Sequence, residues 1–215
     1  MKVTDKIEIT NEDNMNLMAR YPDNYFDLAI VDPPYGIGAE NHAGKKENGW
    51  NQFNKKEWDN KTPNKQYFNE LFRVSKNQII WGGNYMTEFL PPSMCWIIWD
   101  KGQRDFSLAD GEMAWTSFDK AMRIFEFSIA SCIKSNNTSI EKFHPTAKPF
   151  ELYKWLLDKY AKPNDKILDT HLSSGSIAIA CHDYDFKLTA CELDKEYFDK
   201  SIERIKNHVS QLKMF

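Results

Sequence analysis

The chain has 215 residues, 41% of them hydrophobic and 14% aromatic, which is enough apolar material for one full-sized core and excludes a disordered chain. A formal net charge of −3 excludes the global basic excess that nucleic-acid binders often carry. The opening segment MKVTDKIEIT alternates charge with apolar residues, and no later run approaches the length needed to span a bilayer, so the expectation is a cytoplasmic protein of one domain, 1–215. The four cysteines, Cys95, Cys132, Cys181 and Cys191, form no CxxC pair, which argues for reduced thiols and against a zinc ribbon or redox centre.

The first clear element is the apolar run FDLAIV at 26–31, read as a buried strand that stops at Asp32-Pro33-Pro34, where two prolines end regular structure. Residues 36–63 are rich in Gly, Asn, Lys and Trp without periodicity and read as a long surface loop, a class that is usually functional or disordered. A helix is expected over 64–74, then strands at 78–81, 95–99, 112–116 and 122–128. After Pro149 the period changes, because Leu152, Tyr153, Leu156, Leu157 and Tyr160 share one helical face, and KPND at 162–165 ends that helix. A strand at 166–169, a Ser/Gly turn, a helix over about 176–184, a strand at 187–191 and an amphipathic helix carrying Phe198, Ile202, Ile205 and Val209 complete the chain. Strand-helix alternation of this kind calls for a parallel sheet covered by helices, an α/β fold.

In open α/β sheets ligands bind beyond the carboxyl ends of strands, and two strands here end in unusually polar, constrained sequences. They are DPPYG at 32–36 and DTHLSSGS at 169–176. In the first, Asp32 offers an anionic acceptor, the prolines leave the Pro33 carbonyl free to accept, and Tyr35 offers a stacking face. Two acceptors on one amino group suit attack by an aryl amine, whose lone pair must be drawn out of the ring as positive charge develops on nitrogen. In the second, backbone N–H groups at a helix start and the permissive Gly175 can receive a carboxylate or ribose oxygen. About twenty residues on, Glu192 ends a strand where doubly wound sheets place a ribose-binding acid, so the pair points to an adenosine-containing cofactor. As isolated features, the first motif is equally a strand-ending turn and the second a helix cap.

Taken together these residues resemble the amino-type DNA methyltransferases, in the permuted order where DPPY precedes the cofactor motif. The resemblance runs through DNYFDLAIVDPPYG at 23–36, the segment at 57–85, HPTAKP at 144–149, KILDTHLSSGS at 166–176 and CELD at 191–194. It implies a doubly wound, mainly parallel, Rossmann-like, circularly permuted fold that uses S-adenosylmethionine. Carried over by position, Asp32, Pro33, Pro34 and Tyr35 would hold a base flipped from double-stranded DNA, with Asn84 lining the pocket. Asp169, Thr170, His171, Ser173, Gly175 and Ser176, with Thr146 and Lys148 beside them, would hold the methionine part of the cofactor; Glu192 would hold its ribose and Asp13 its adenine. The family's turn usually opens Asp-Pro-Phe and has two glycines flanking one residue, whereas here it reads Asp169-Thr170-His171 with Ser173 at the first glycine position.

The resemblance also implies a DNA-facing loop, in which Lys45, Lys46, Lys55, Lys56, Lys61 and Lys65 are interleaved with Trp50, Phe53 and Trp58, and a short target-recognition segment within about 100–142. Asp32, where cytosine-N4 enzymes more often have Ser, favours N6 of adenine. Cytosine-N4 transfer, transfer to RNA or a protein amide, and a non-catalytic nucleic-acid-binding descendant stay open, as does a homodimer. No metal site is expected, because Cys181, His182 and Cys191 lack ligand spacing and His171 beside Asp169 reads as neither dyad nor ligand. His144 is expected to order the HPTAKP turn.

Overall fold

The computed structural model describes residues 1–38, 59–104, 109–128 and 147–211. Among the described residues eight strands form one sheet in the order β1-β8-β7-β2-β3-β5-β4-β6. They are β1 (Ile7–Asn11), β2 (Leu28–Val31), β3 (Gln78–Trp81), β4 (Trp96–Asp100), β5 (Gly111–Thr116), β6 (Arg123–Glu126), β7 (Lys166–Asp169) and β8 (Lys187–Glu192). The helices are α1 (Asn14–Ala19), α2 (Lys65–Val74), α3 (Phe150–Tyr160), α4 (Ser176–Asp183) and α5 (Lys195–Ser210). Among these strands β5 alone runs against the others.

The central strands are buried on both faces, which is why LAIV, and IIW after the buried Gln78, read as continuous rather than alternating apolar runs. Period-two geometry sends Leu28, Ile30, Ile79 and Trp81 to the face covered by α3, α4 and α5, and Ala29, Val31 and Ile80 to the face covered by α1 and α2. Asn64 caps α2 by accepting from the Tyr67 N–H at 3.1 Å, and Asp194 caps α5 by accepting from Glu196 and Tyr197.

Two elements escape the sequence reading. The first strand, β1, is a short edge strand with only Ile7 and Ile9 inward, and α1 has six residues, too few to display a helical period. The expected elements from 64 onward are present, with ends shifted by one or two residues and β6 shorter than 122–128. The described part of the 100–142 segment contains β5 and β6, which belong to the central sheet. The described ends of the 36–63 loop meet, the Gly38 N–H donating to the Asp59 carbonyl at 3.1 Å. Cys95, Cys181 and Cys191 are free and buried. No helix among the described residues is long and apolar enough to cross a membrane.

Leu156 on α3 is wholly buried against the sheet. Leu156→Ala is expected to lower unfolding stability by about 2–5 kcal/mol, read as a shift of the urea midpoint at unchanged slope.

Candidate active site

Parallel pairing of β2 with β7, Leu28 opposite Ile167 and Ala29 opposite Leu168, brings the turns after Val31 and Asp169 to one rim of the sheet. Pairing of β1 with β8, which sets Asn11 opposite Glu192, brings Asp13 and Glu192 to the same rim. A cleft of about 760 Å³ runs between them, lined by Asp13, Asp32, Pro33, Pro34, Tyr35, Asn84, Thr170, His171, Ser173 and Glu192 among others.

The first turn is held from outside its own segment. Asp59, buried, accepts from the N–H groups of Tyr35 at 2.6 Å and Gly36 at 2.9 Å, the donors that follow the two prolines. Asp32 is not the open acceptor expected from the sequence: Oδ1 accepts from the Tyr35 hydroxyl at 2.7 Å and Oδ2 from Lys148 Nζ at 2.6 Å. Nor is the Tyr35 ring open for stacking, because it lies parallel to Tyr85 at 5.2 Å between centroids. Gly82 makes room for that ring: its φ is +67°, and a Cβ there would stand 2.2 Å from the Tyr35 ring. Lys148, expected beside the methionine part of a cofactor, has a fully buried side chain bound to Asp32 and, at 3.0 Å, to Glu112 on β5. Glu112 also pairs with Lys101 at 2.8 Å.

The second turn is ordered by polar side chains. The His171 N–H donates to Asp169 Oδ1 at 2.9 Å, and the Ser173 N–H donates to Glu192 Oε2 at 2.9 Å. The His171 ring bonds to Asn14 on α1 at 3.1 Å and to the Thr170 hydroxyl at 2.9 Å, and that hydroxyl bonds to Tyr67 on α2 at 2.7 Å. Ser173 has φ +53°, a left-handed conformation that costs a side-chain-bearing residue about 1–2 kcal/mol and that a glycine adopts freely. Gly175, also left-handed at φ +76°, packs against Ile205 of α5 and not on the cleft, and Asp169 and Ser176 are likewise behind the cleft wall. Asp13 lines the cleft while its side chain caps α1 by accepting from the Met15 N–H at 2.8 Å.

A family model described as DNA methylase, of the N6/N4 type, matches residues 90–203. The chain belongs to this DNA methylase family. The matched span contains the turn at 169–176; the DPPY turn precedes it. No curated protein matches the chain in sequence. The fold is similar to that of the M1.HpyAVI-SAM complex, at TM-score 0.60 and 17% identity over 92% of this chain and 99% of that one. It is similar to TTHA0409, a putative DNA modification methylase from Thermus thermophilus complexed with S-adenosyl-L-methionine, at TM-score 0.59 and 15% identity over 95% of each chain. It is similar also to the PvuII DNA methyltransferase, described as cytosine-N4-specific, at TM-score 0.62 and 13% identity over 96% of this chain and 93% of that one.

Within this family fold the sequence reading missed Asp59, Glu112, Asn14, Tyr67 and Tyr85. Glu112 alone left a signal, a carboxylate in an otherwise apolar strand; the others act through contacts between distant segments. Lys61 lines the cleft, and Lys65 opens α2 with an exposed side chain. Lys45, Lys46, Lys55, Lys56, Trp50, Phe53, Trp58, His144 and Thr146 lie outside the described residues. Among the described residues no group of His, Cys, Asp or Glu could hold a metal ion.

Burial governs the ionisation of these groups. It lowers His171 to about 3, so the ring is neutral near pH 7. It raises Asp169 to about 8, against the pull of the His171 N–H. An acid whose folded pKa lies above its unfolded value destabilises the fold progressively as pH climbs through that window, here from about 4 to about 8. Asp169→Asn cannot ionise, so its urea midpoint is expected to gain on that of the parent chain as pH goes from 5 to 8; a pH-independent difference between the two would refute the assignment.

Proposed function

We propose that the chain transfers the methyl group of S-adenosylmethionine to the exocyclic N6 of adenine in double-stranded DNA, the base being flipped out of the helix. The observation that carries this reading is the opening of the DPPY turn and the Thr170–Glu192 wall into one cleft. Family membership supports the reaction class, and Asp32 at the head of DPPY favours adenine. The likeness to an enzyme described as cytosine-N4-specific keeps N4 of cytosine as the second reading. The whole chain is taken as one methyltransferase domain.

The residues on the cofactor side fit the group in their chemistry. Glu192 uses one lone pair of each oxygen on the Ser173 and Asp194 N–H groups, and a carboxylate has further acceptor sites for ribose hydroxyls. Asp13 would receive the adenine amino group, and the backbone of Thr170 to Ser173 would face the methionine part. Bound there, S-adenosylmethionine supplies an electrophilic methyl group on a sulfonium. On the substrate side, Asp32 Oδ1 and the Pro33 carbonyl accept the two N–H bonds of the target amino group. That draws its lone pair out of the ring and stabilises the positive charge that develops on nitrogen. Oδ1 already accepts from the Tyr35 hydroxyl and keeps a second acceptor site for the amino N–H, while the Tyr35 ring must part from Tyr85 to stack on the base.

Incubation with labelled S-adenosylmethionine and unmethylated genomic DNA, followed by digestion and mass spectrometry of nucleosides, is expected to yield N6-methyladenine. N4-methylcytosine would select the second reading, and absence of label would overturn both. Asp32→Ala is expected to abolish transfer while S-adenosylmethionine binding by calorimetry is retained; equal loss of both contradicts the assigned role. Burial raises Asp32 above the ordinary aspartate range against the pull of Lys148. Because the acceptor is the ionised form, kcat should fall as pH drops through that raised value, giving an acid limb above the usual carboxylate pKa.

A further inference from the structure

Five side chains from four separate segments meet at the substrate end of the cleft. Lys148 Nζ, just before α3, lies 2.6 Å from Asp32 Oδ2, 3.0 Å from Glu112 Oε2 and 3.1 Å from the Tyr35 hydroxyl. The Tyr35 hydroxyl lies 2.7 Å from Asp32 Oδ1 and 3.2 Å from Glu112 Oε2. Glu112 Oε1 holds Lys101 at 2.8 Å. Side-chain exposure is 0% for Lys148, 10% for Asp32, 19% for Glu112 and 13% for Lys101, so water screens these charges little. Two ammonium groups face two carboxylates, and the account balances only with Glu112 ionised.

We propose that Glu112 is a positioning residue for the transfer: by sharing Lys148 with Asp32 it prevents a closed one-to-one ion pair, so that the Asp32 carboxylate remains available to an incoming amino group. This rests on the reading of the cleft as a methyl-transfer site. A neutral N–H donor competes poorly against an ammonium for the same carboxylate, because charge-assisted bonds are roughly twice as strong as neutral ones. With Glu112 in place, part of the attraction of Lys148 is spent elsewhere, and the cation can lean toward β5 when a base amino group arrives. Without it, Asp32 is the one carboxylate left to Lys148 among the described residues.

Other groups around Asp32 do not duplicate this role. Tyr35 from its own turn, Tyr67 from α2 and Tyr153 from α3 are phenols that burial keeps protonated. Asp169 from β7 is held as the neutral acid at pH 7 by burial. Lys101, just after β4, acts through Glu112, which the two lysines hold at about 2 against the upward push of burial.

The test is the titration of Asp32 by NMR of the chain carrying ¹³Cγ-labelled aspartate, with Asp32→Asn for assignment, beside kcat and the KM for S-adenosylmethionine. Glu112→Gln should move the Asp32 midpoint down by about one to three pH units, because it removes a like charge and leaves Lys148 with Asp32 as its carboxylate partner. It should also lower kcat about tenfold or more with little change in that KM. Glu112→Asp should restore most of both. Lys101→Met should move the midpoint the other way, which keeps the test decisive if Glu112→Gln fails to fold. A midpoint unmoved in both, or one that moves in Glu112→Gln while kcat stays at the parent value, overturns the proposal. A parent chain that binds DNA and cofactor yet transfers nothing overturns the methyl-transfer reading instead, and the Asp32 midpoints still decide whether the charge is shared.

Discussion

The parallel pairing of β2 with β7 is the constraint from which the site follows. Parallel neighbours end at the same rim, so the residues that leave β2 and those that leave β7 must turn beside each other. Two prolines force the first chain away from the sheet, and a left-handed Ser173 turns the second into α4. Neither turn covers the other, and the gap between them is the cleft. The pairing of β1 with β8 repeats the arrangement one step outward and sets Asp13 beside Glu192. Strands from the end of the chain thus lie between strands from its beginning, which places both turns on the cleft although more than a hundred residues separate them.

Within that frame the DPPY end of the cleft is a closed electrostatic unit. A buried ion pair is costly to desolvate and is often less stabilising than an apolar pair of the same volume, so four interlocked charges at a strand end are better explained by function than by stability. Lys148 is the hub, lying over the rings of Trp81 at 5.2 Å and Tyr35 at 5.5 Å as well as between two carboxylates. In this arrangement each oxygen of Asp32 has one partner, and Tyr85 lies along the Tyr35 ring.

The turn at 169–176 departs from the family's usual sequence in a way the structure makes intelligible. The strain at Ser173 is met by its N–H bond to Glu192, which joins the turn to the end of β8. Rigidity that a proline would supply at position 170 comes instead from the chain of contacts Asn14–His171–Thr170–Tyr67, which ties the turn to α1 and α2. The neutral His171 ring can accept at one nitrogen and donate at the other, as that chain requires.

Much of this was written locally. Buried strands show as apolar runs such as LAIV and the IIW of β3, the helix over Phe150–Tyr160 shows as a repeating apolar face, and the DPPY turn shows as prolines ending a strand; each depends on a few adjacent residues, so the sequence alone determined them. The edge strand β1 and the six-residue α1 were too short to register a period. The partners of the key groups were decided only by the tertiary structure. Nothing local tells Lys148 that it will meet Asp32 and Glu112, Asp59 that it will cap the turn after Tyr35, or Gly175 that it will face Ile205 and not the cleft. Those contacts depend on which strands become neighbours, and a buried charge takes its partner from whatever the sheet order sets beside it.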